Sequence, residues 1–281
     1  MKEKQKNWLI TGASSGIGRK LTEQLLQSGE KVAALVRQPN KLDDLATQFP
    51  HSLFVTQLDL TDVNDIPNVV ADVFSEMEHI DVVVSSAGYG LIGAVEELSH
   101  EEILQQLTVN MLSSIFLIKA TLPLLRMRKT GHIIQISSEG AHIAYPGASI
   151  YHASKWGIEG FCEALAVEVR SFGIHVTIVE PGRVKTEFDD NAVLSKQQIA
   201  EYRKSAVGNY LRLMEMGKFP PIGDPVKVAS AIIATTKDLK PPLRLTLGSD
   251  AYKNMSRALE QRLQALYKQE HFASITDFDE C

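Results

Sequence analysis

Seven short apolar runs punctuate the chain: WLIT (8–11), KVAALV (31–36), SLFVTQL (52–58), DVVVS (81–85), HIIQIS (132–137), HVTIVE (175–180) and LRLTL (243–247). Most are continuous rather than alternating, as expected of strands covered on both faces in a parallel sheet. Helical patterns lie between them. Ile17, Leu21 and Leu25 recur every four residues, with Gly29 placed to stop the helix. Val63, Ile66, Val69, Val70, Val73 and Met77 follow at helical spacing after Thr61-Asp62, a cap pair. The alternation predicts a doubly wound α/β fold, with about seven parallel strands and helices on both faces, in a single domain over 1–281. Residues 186–222 break the rhythm. No strand is expected there, only a helix through Ile199, Tyr202, Ala206, Tyr210 and Leu213, then the turn FPPIGDP.

Composition narrows the function classes. The 281 residues are 44% hydrophobic and 22% charged, with a net charge of −5, which argues against a nucleic-acid partner. No run reaches the ~18 consecutive apolar residues of a membrane span, and none has signal-peptide form. Cys162 and Cys281 are the only cysteines and cannot build a disulfide framework, which favours a reducing compartment. The expectation is a soluble cytoplasmic protein with no membrane partner.

The first strand runs into TGASSGIGRK, where Gly12, Gly16 and Gly18 occupy the strand-to-helix turn. Glycines there let backbone approach a ligand, and the following helix offers free N–H groups to a phosphate. The spacing is not G-x-G-x-x-G, so a plain tight turn is the competing reading. The second strand ends at Val36-Arg37. An acid near this place would bind a ribose hydroxyl, whereas an arginine accommodates the 2′-phosphate of NADP. Arg37 therefore favours NADP(H) over NAD(H), against the alternative of a solvated arginine.

Ser137 and Ser138 end the fifth run, where open α/β sheets put their ligands, and Tyr151 and Lys155 follow. A helix starting near 151 would project Tyr151 and Lys155 from one face. An adjacent ammonium should lower the phenol's pKa from its usual ~10, making Tyr151 a general acid or base. A serine hydroxyl beside it would hold a carbonyl oxygen.

These stretches together resemble the short-chain dehydrogenases/reductases, closely over about residues 7–190. TGASSGIG resembles that family's cofactor turn, YHASK its Tyr-x-x-x-Lys, and Ser138 stands at the spacing of its serine. The resemblance implies a Rossmann-type fold and a catalytic set of Ser138, Tyr151, Lys155 and Asn110. It also implies NADP(H) contacts from Gly12, Ser14, Ser15, Gly16, Ile17, Gly18, Arg37, Asp59, Ala87, Gly88, Tyr151, Lys155, Pro181, Gly182, Val184 and Thr186. Tyr151 would exchange the proton. Lys155 would bind the nicotinamide ribose and depress the tyrosine, Ser138 would hold the substrate oxygen, and Asn110 would place a relay water. One departure stands out: SSAG (85–88) replaces the family's Asn-Asn-Ala-Gly, which puts local rigidity and cofactor affinity in question. The implied activity is hydride transfer between NADP(H) and a hydrophobic secondary alcohol or ketone. The alternative is a non-catalytic NADP(H)-binding sensor on the same fold.

The family's covering segment corresponds to 186–222, where Phe188, Tyr202, Tyr210, Leu211, Met214, Met216 and Phe219 make an apolar lid or simply pack. The helix after Tyr151 is apolar on several stripes (Trp156, Ile158, Phe161, Leu165, Val167, Val169, Phe172), which suits a homodimer or homotetramer. Cys162 is expected in packing and His152 on the exposed side of its helix. Glu139 is expected at the substrate mouth or in a solvated loop. No histidine pairs with a cysteine at metal-ligand spacing, so no metal is expected. The C-terminal helix (Met255, Leu259, Leu263, Leu266) and the tail TDFDEC carry no recognisable chemistry.

Overall fold

All seven apolar runs become strands of one parallel sheet in the computed structural model, which describes residues 5–278. They are β1 (Asn7–Thr11), β2 (Lys31–Val36), β3 (Leu53–Gln57), β4 (Val82–Ser85), β6 (Gly131–Ile136), β7 (Ile174–Pro181) and β9 (Arg244–Leu247). The order β3-β2-β1-β4-β6-β7-β9 reverses direction between β1 and β4, and a crevice opens there at the carboxyl ends.

Each strand feeds both faces. Leu9, Ala33, Val83, Ile133 and Ile178 point into a core with Val70, Leu117 and Ile158, from α3 (Ile66–Met77), α5 (Ser113–Arg128) and α6 (Ser149–Val169). Their neighbours Ile10, Val32, Val84, Ile134 and Val179 pack with Leu21, Leu25, Val228 and Ile232, from α1 (Gly16–Gln27) and α8 (Pro225–Thr235). Two buried faces explain why the strands read as continuous apolar runs.

Several boundaries differ from expectation. α3 starts one turn later than Thr61-Asp62, because those residues close their own turns: Asp59 accepts from the Thr61 N–H, and Asp62 from Asn64. The pattern 199–213 is two helices, a 3-10 turn Ala200–Lys204 and α7 (Ala206–Glu215), because Ser205 caps the second through the Val207 N–H. A strand does occur in 186–222: β8 (Val193–Leu194) pairs in parallel with β5 (Leu91–Ile92). Cys281, the first three lysines' Lys2 and Lys4, and the end of the acidic tail lie outside the described residues.

α4 (His100–Leu107) continues through a π-helical turn, Thr108–Leu112, into α5. This run is long and apolar enough to cross a membrane by length and composition, although Leu117, Ile118 and Leu125 are buried in the core. α2 (Asp43–Gln48) flanks β3, and α9 (Ser249–Tyr267) and α10 (Glu270–Ser274) close the chain.

Candidate active site

A cavity of about 570 Å³ occupies the crevice. Its floor is the glycine turn. Gly12 has φ +71° and a side chain there would meet Ala87 N at 2.8 Å, so only glycine lets β1 and β4 approach this closely. Gly12, Ser14, Ser15, Gly16 and Ile17 all line the cavity. Gly18 does not: a Cβ there would lie 2.4 Å from Gly12 O, so its task is packing α1 under the turn. The Gly16 N–H already serves an anion, donating to Glu187 Oε2 at 3.2 Å. A cradle closed to any Cβ, opening on free N–H groups, fits a dinucleotide pyrophosphate.

Arg37, Lys41 and Asp59 line the end of the cavity beyond β2 and β3. Asp59 is held below the usual carboxylate range by the Thr61 N–H and hydroxyl (2.9 and 2.8 Å), and by Arg37 nearby. Ala87, Gly88, Pro181, Gly182, Val184 and Thr186 line the middle. The serines of SSAG are not loose. Ser85 Oγ shares a hydrogen bond with Ser114 Oγ at 2.7 Å, and Ser86 N–H donates to Thr11 Oγ1 at 3.2 Å.

Ser138, Tyr151 and Lys155 meet at the other end. Ser138 leaves β6 in extended conformation and accepts from the Gly140 N–H at 3.0 Å, which aims its Oγ. Its hydroxyl lies near Tyr151, from the first turn of α6, and favours the ionised form of the phenol. Lys155 Nζ lies 5.8 Å from the Tyr151 ring centre and donates to Ile136 O at 3.1 Å. Burial pushes the Tyr151 phenol up to about 12 and the Lys155 ammonium down to about 8. Desolvation thus outweighs the lowering of the phenol expected from the neighbouring ammonium. Asn110 is fully buried behind this wall rather than in it. Its amide brackets the Tyr89 backbone, accepting from N–H at 3.1 Å and donating to C=O at 2.9 Å. A Cβ on Gly88 would lie 3.4 Å from Asn110 Oδ1 and 3.8 Å from Lys155 Nζ, so that glycine separates the two.

His152 is buried, not exposed. The loop after Ser138 folds over it: His152 Nε2 accepts from the Tyr145 N–H at 2.8 Å, so Nδ1 carries the proton and donates to Gly140 O at 2.7 Å. Glu139 is also buried, lining the cavity, so the solvated-loop alternative does not hold. Cys162 is buried in packing as expected, its thiol raised to about 12 by burial. Of the expected lid residues, Phe188, Tyr210 and Met214 line the cavity. Tyr202 instead donates to Glu96, Met216 is exposed, and Phe219 packs on Tyr210. Phe188 stands edge-on to Tyr151 at 5.9 Å.

Sequence reading missed a buried ionic cluster behind the site. His142, Glu159 and Glu180 approach within 4.8 Å of one another, a metal-like grouping, but the Arg244 guanidinium pairs with both glutamates. A cation already fills that position. The signal was illegible because the four residues come from four separate elements.

A doubly wound sheet with a glycine cradle at its switch point and a Ser–Tyr–Lys set facing the same cavity defines a nicotinamide-dinucleotide oxidoreductase class. The family profile described as short chain dehydrogenase matches residues 6–197. The chain is similar to an oxidoreductase of Botryotinia fuckeliana, 35% identical over 91% of this chain and 93% of that one. It is also similar to a solved short-chain dehydrogenase from Streptomyces avermitilis, 36% identical with a TM-score of 0.91, covering 98% of this chain and 100% of that one. A solved alcohol dehydrogenase from Thermococcus sibiricus complexed with 5-hydroxy-NADP is 25% identical with a TM-score of 0.69, covering 87% and 96%. The protein belongs to the short-chain dehydrogenase family of oxidoreductases.

Proposed function

We propose that the protein is an NADP(H)-dependent oxidoreductase interconverting a hydrophobic ketone and its secondary alcohol, with Tyr151 as general acid/base. The observation that carries this reading is that Ser138, Tyr151 and Lys155 line one end of a cavity whose other end holds Arg37. The bound nicotinamide supplies or accepts the hydride. Ser138 and Tyr151 bind the carbonyl oxygen. A phenol held near 12 keeps its proton at neutral pH, the form that ketone reduction consumes. Lys155 holds the ribose beside it, and Asn110 holds the Tyr89 turn that walls the cavity. Arg37 and Lys41 favour a 2′-phosphate, in keeping with the NADP-type ligand of the T. sibiricus relative.

The test follows NADPH oxidation with a panel of ketones, steroids, retinoids and sugars. At least one ketone is expected to turn over. Tyr151→Phe should abolish that turnover while NADPH still binds, and a near-normal kcat would refute the role of Tyr151.

The reading extends to 186–222 as a substrate cover, supported by Phe188, Tyr210 and Met214 in the cavity wall. It extends to a homo-oligomer paired through the outer side of α6, where Trp156 and Val167, and Phe172 just beyond its end, are exposed. A monomer by light scattering would overturn the pairing. It extends to a cytoplasmic location, supported by the free Cys162 and checked by cell fractionation.

A further inference from the structure

Glu139 follows Ser138 directly and lines the same cavity, yet only 4% of its surface is exposed. An ionised carboxylate removed from water is costly unless a cation pairs with it. Among the described residues, no cation lies within ion-pair distance of Glu139. Its hydrogen-bond partners are neutral: Tyr145 OH donates to Oε1 at 3.1 Å and Asn254 Nδ2 to Oε2 at 2.9 Å. Arg183, near enough to ease its ionisation, pairs through Nη2 with Asp189, while Asp250 adds a like charge. Burial accordingly holds the Glu139 acid above the usual carboxylate range.

The two neutral donors fix the orientation of the carboxylate but fill only one acceptor site on each oxygen. Glu139 also acts electrostatically on Tyr151, and both line the cavity, so this acid stands near the carbonyl that Ser138 and Tyr151 would hold. Phe188, Tyr210 and Met214 give this part of the wall an apolar surface beside Arg183 and Asp189.

We infer that Glu139 is a specificity residue awaiting a substrate cation: the substrate class is an amphiphilic amino ketone, or the matching amino alcohol, with its ammonium a few bonds from the reacting carbon. This rests on the reaction proposed above.

The experiment compares aminomethyl hexyl ketone with methyl hexyl ketone, using the full-length protein and NADPH. The wild type should favour the ammonium ketone by about tenfold or more in kcat/KM, a discrimination of the size one buried charge pair supplies. Glu139→Gln should erase that preference, chiefly through KM. Equal or better use of the neutral ketone by the wild type, or a preference that survives in E139Q, would overturn the inference. Should E139Q fail to fold, the wild-type comparison still decides. Should neither ketone react, the thermal shift given by octylammonium against octanol separates the two readings. A larger shift with octylammonium supports the Glu139 site even though the proposed reaction lacks support, and equal shifts sink the site.

Discussion

Ser137 donates a hydrogen bond from Oγ to Glu159 Oε1, 2.5 Å away, with both side chains buried. The bond ties the end of β6, which presents Ser138, to α6, which presents Tyr151 and Lys155. The other Glu159 oxygen meets Arg244 Nη1 at 2.6 Å. Glu159 also lies one turn beyond Lys155 and favours its charged form against burial. Glu159→Gln keeps an acceptor for Ser137 but removes the charge. Breaking one side of a buried pair costs about 3 kcal/mol, so denaturant unfolding should register a loss of that order. Lys155 should also lose its proton at lower pH, moving the alkaline limb of kcat/KM downward. A variant with the wild-type limb would separate Glu159 from Lys155.

His142 gives the protein a pH-dependent stability. Its Nε2 donates to Glu180 Oε1 at 2.9 Å and reaches Glu159 Oε2 at 3.2 Å, and these carboxylates raise it to about 9 from an ordinary 6.5. The folded state therefore binds this proton more tightly than the unfolded chain. The stabilisation is complete below about pH 6.5 and fades as pH rises through 9. Lys155, depressed to about 8, works in the opposite sense above that pH, because there the unfolded chain holds the extra proton. The clean window is thus 6.5 to 8. Across it the wild-type Tm should fall, while His142→Gln stays flatter. Parallel curves would assign the pH dependence to other groups.

The sheet was legible because a doubly covered parallel strand has no choice of face, so Val82–Ser85 and Gly131–Ile136 need no alternation to be read. The Tyr–Lys pair was legible because helix geometry alone puts i and i+4 side by side. What failed was everything set by a second segment. His152 turns away from Tyr151 as the helix requires, but toward the loop 140–145, and sequence spacing does not record that this loop folds back. The same holds for β5 and β8, whose two residues each are too short to leave a pattern. The Tyr151 phenol was misjudged for a related reason. Burial is a property of the assembled fold, and it outweighed the local charge.

Cofactor preference should follow Arg37. The side chain is exposed on the cavity rim, with no hydrogen bond from its guanidinium among the described residues, and Lys41 lines the cavity nearby. A charge-assisted hydrogen bond to a phosphate contributes about 1.5–3 kcal/mol. Arg37→Ala should weaken NADPH binding by roughly ten- to a hundredfold while changing NADH little, as read by fluorescence titration. Equal weakening of both cofactors would point to general damage at the rim, and no weakening would leave the preference without its residue.

Two buried carboxylates hold the covering segment in the same way. Glu97 accepts from its own turn at Ala94 N–H (2.8 Å) and, with its other oxygen, from Ile199 N–H (2.8 Å). Glu102 accepts from Ser99 N–H (2.8 Å) and from Lys196 N–H (3.2 Å). The β5–β8 ladder beside them is only two residues long, with Val193 N–H to Gly90 O and Ser195 N–H to Ile92 O. The carboxylates therefore carry much of the attachment, each bond to a charged acceptor contributing about 1.5–3 kcal/mol. A glutamine has one acceptor oxygen and cannot serve both ends. In Glu97→Gln/Glu102→Gln, amide exchange over 193–202 should quicken. KM for a bulky ketone should rise more than kcat falls, because the loss is in holding the cover rather than in proton transfer. Acid should mimic the double variant. The Ser99 N–H holds Glu102 below the usual carboxylate range, so the latch is intact above that range and opens only as pH falls through the lowered value. Unchanged exchange over 193–202 in the double variant would show that packing alone keeps the cover in place.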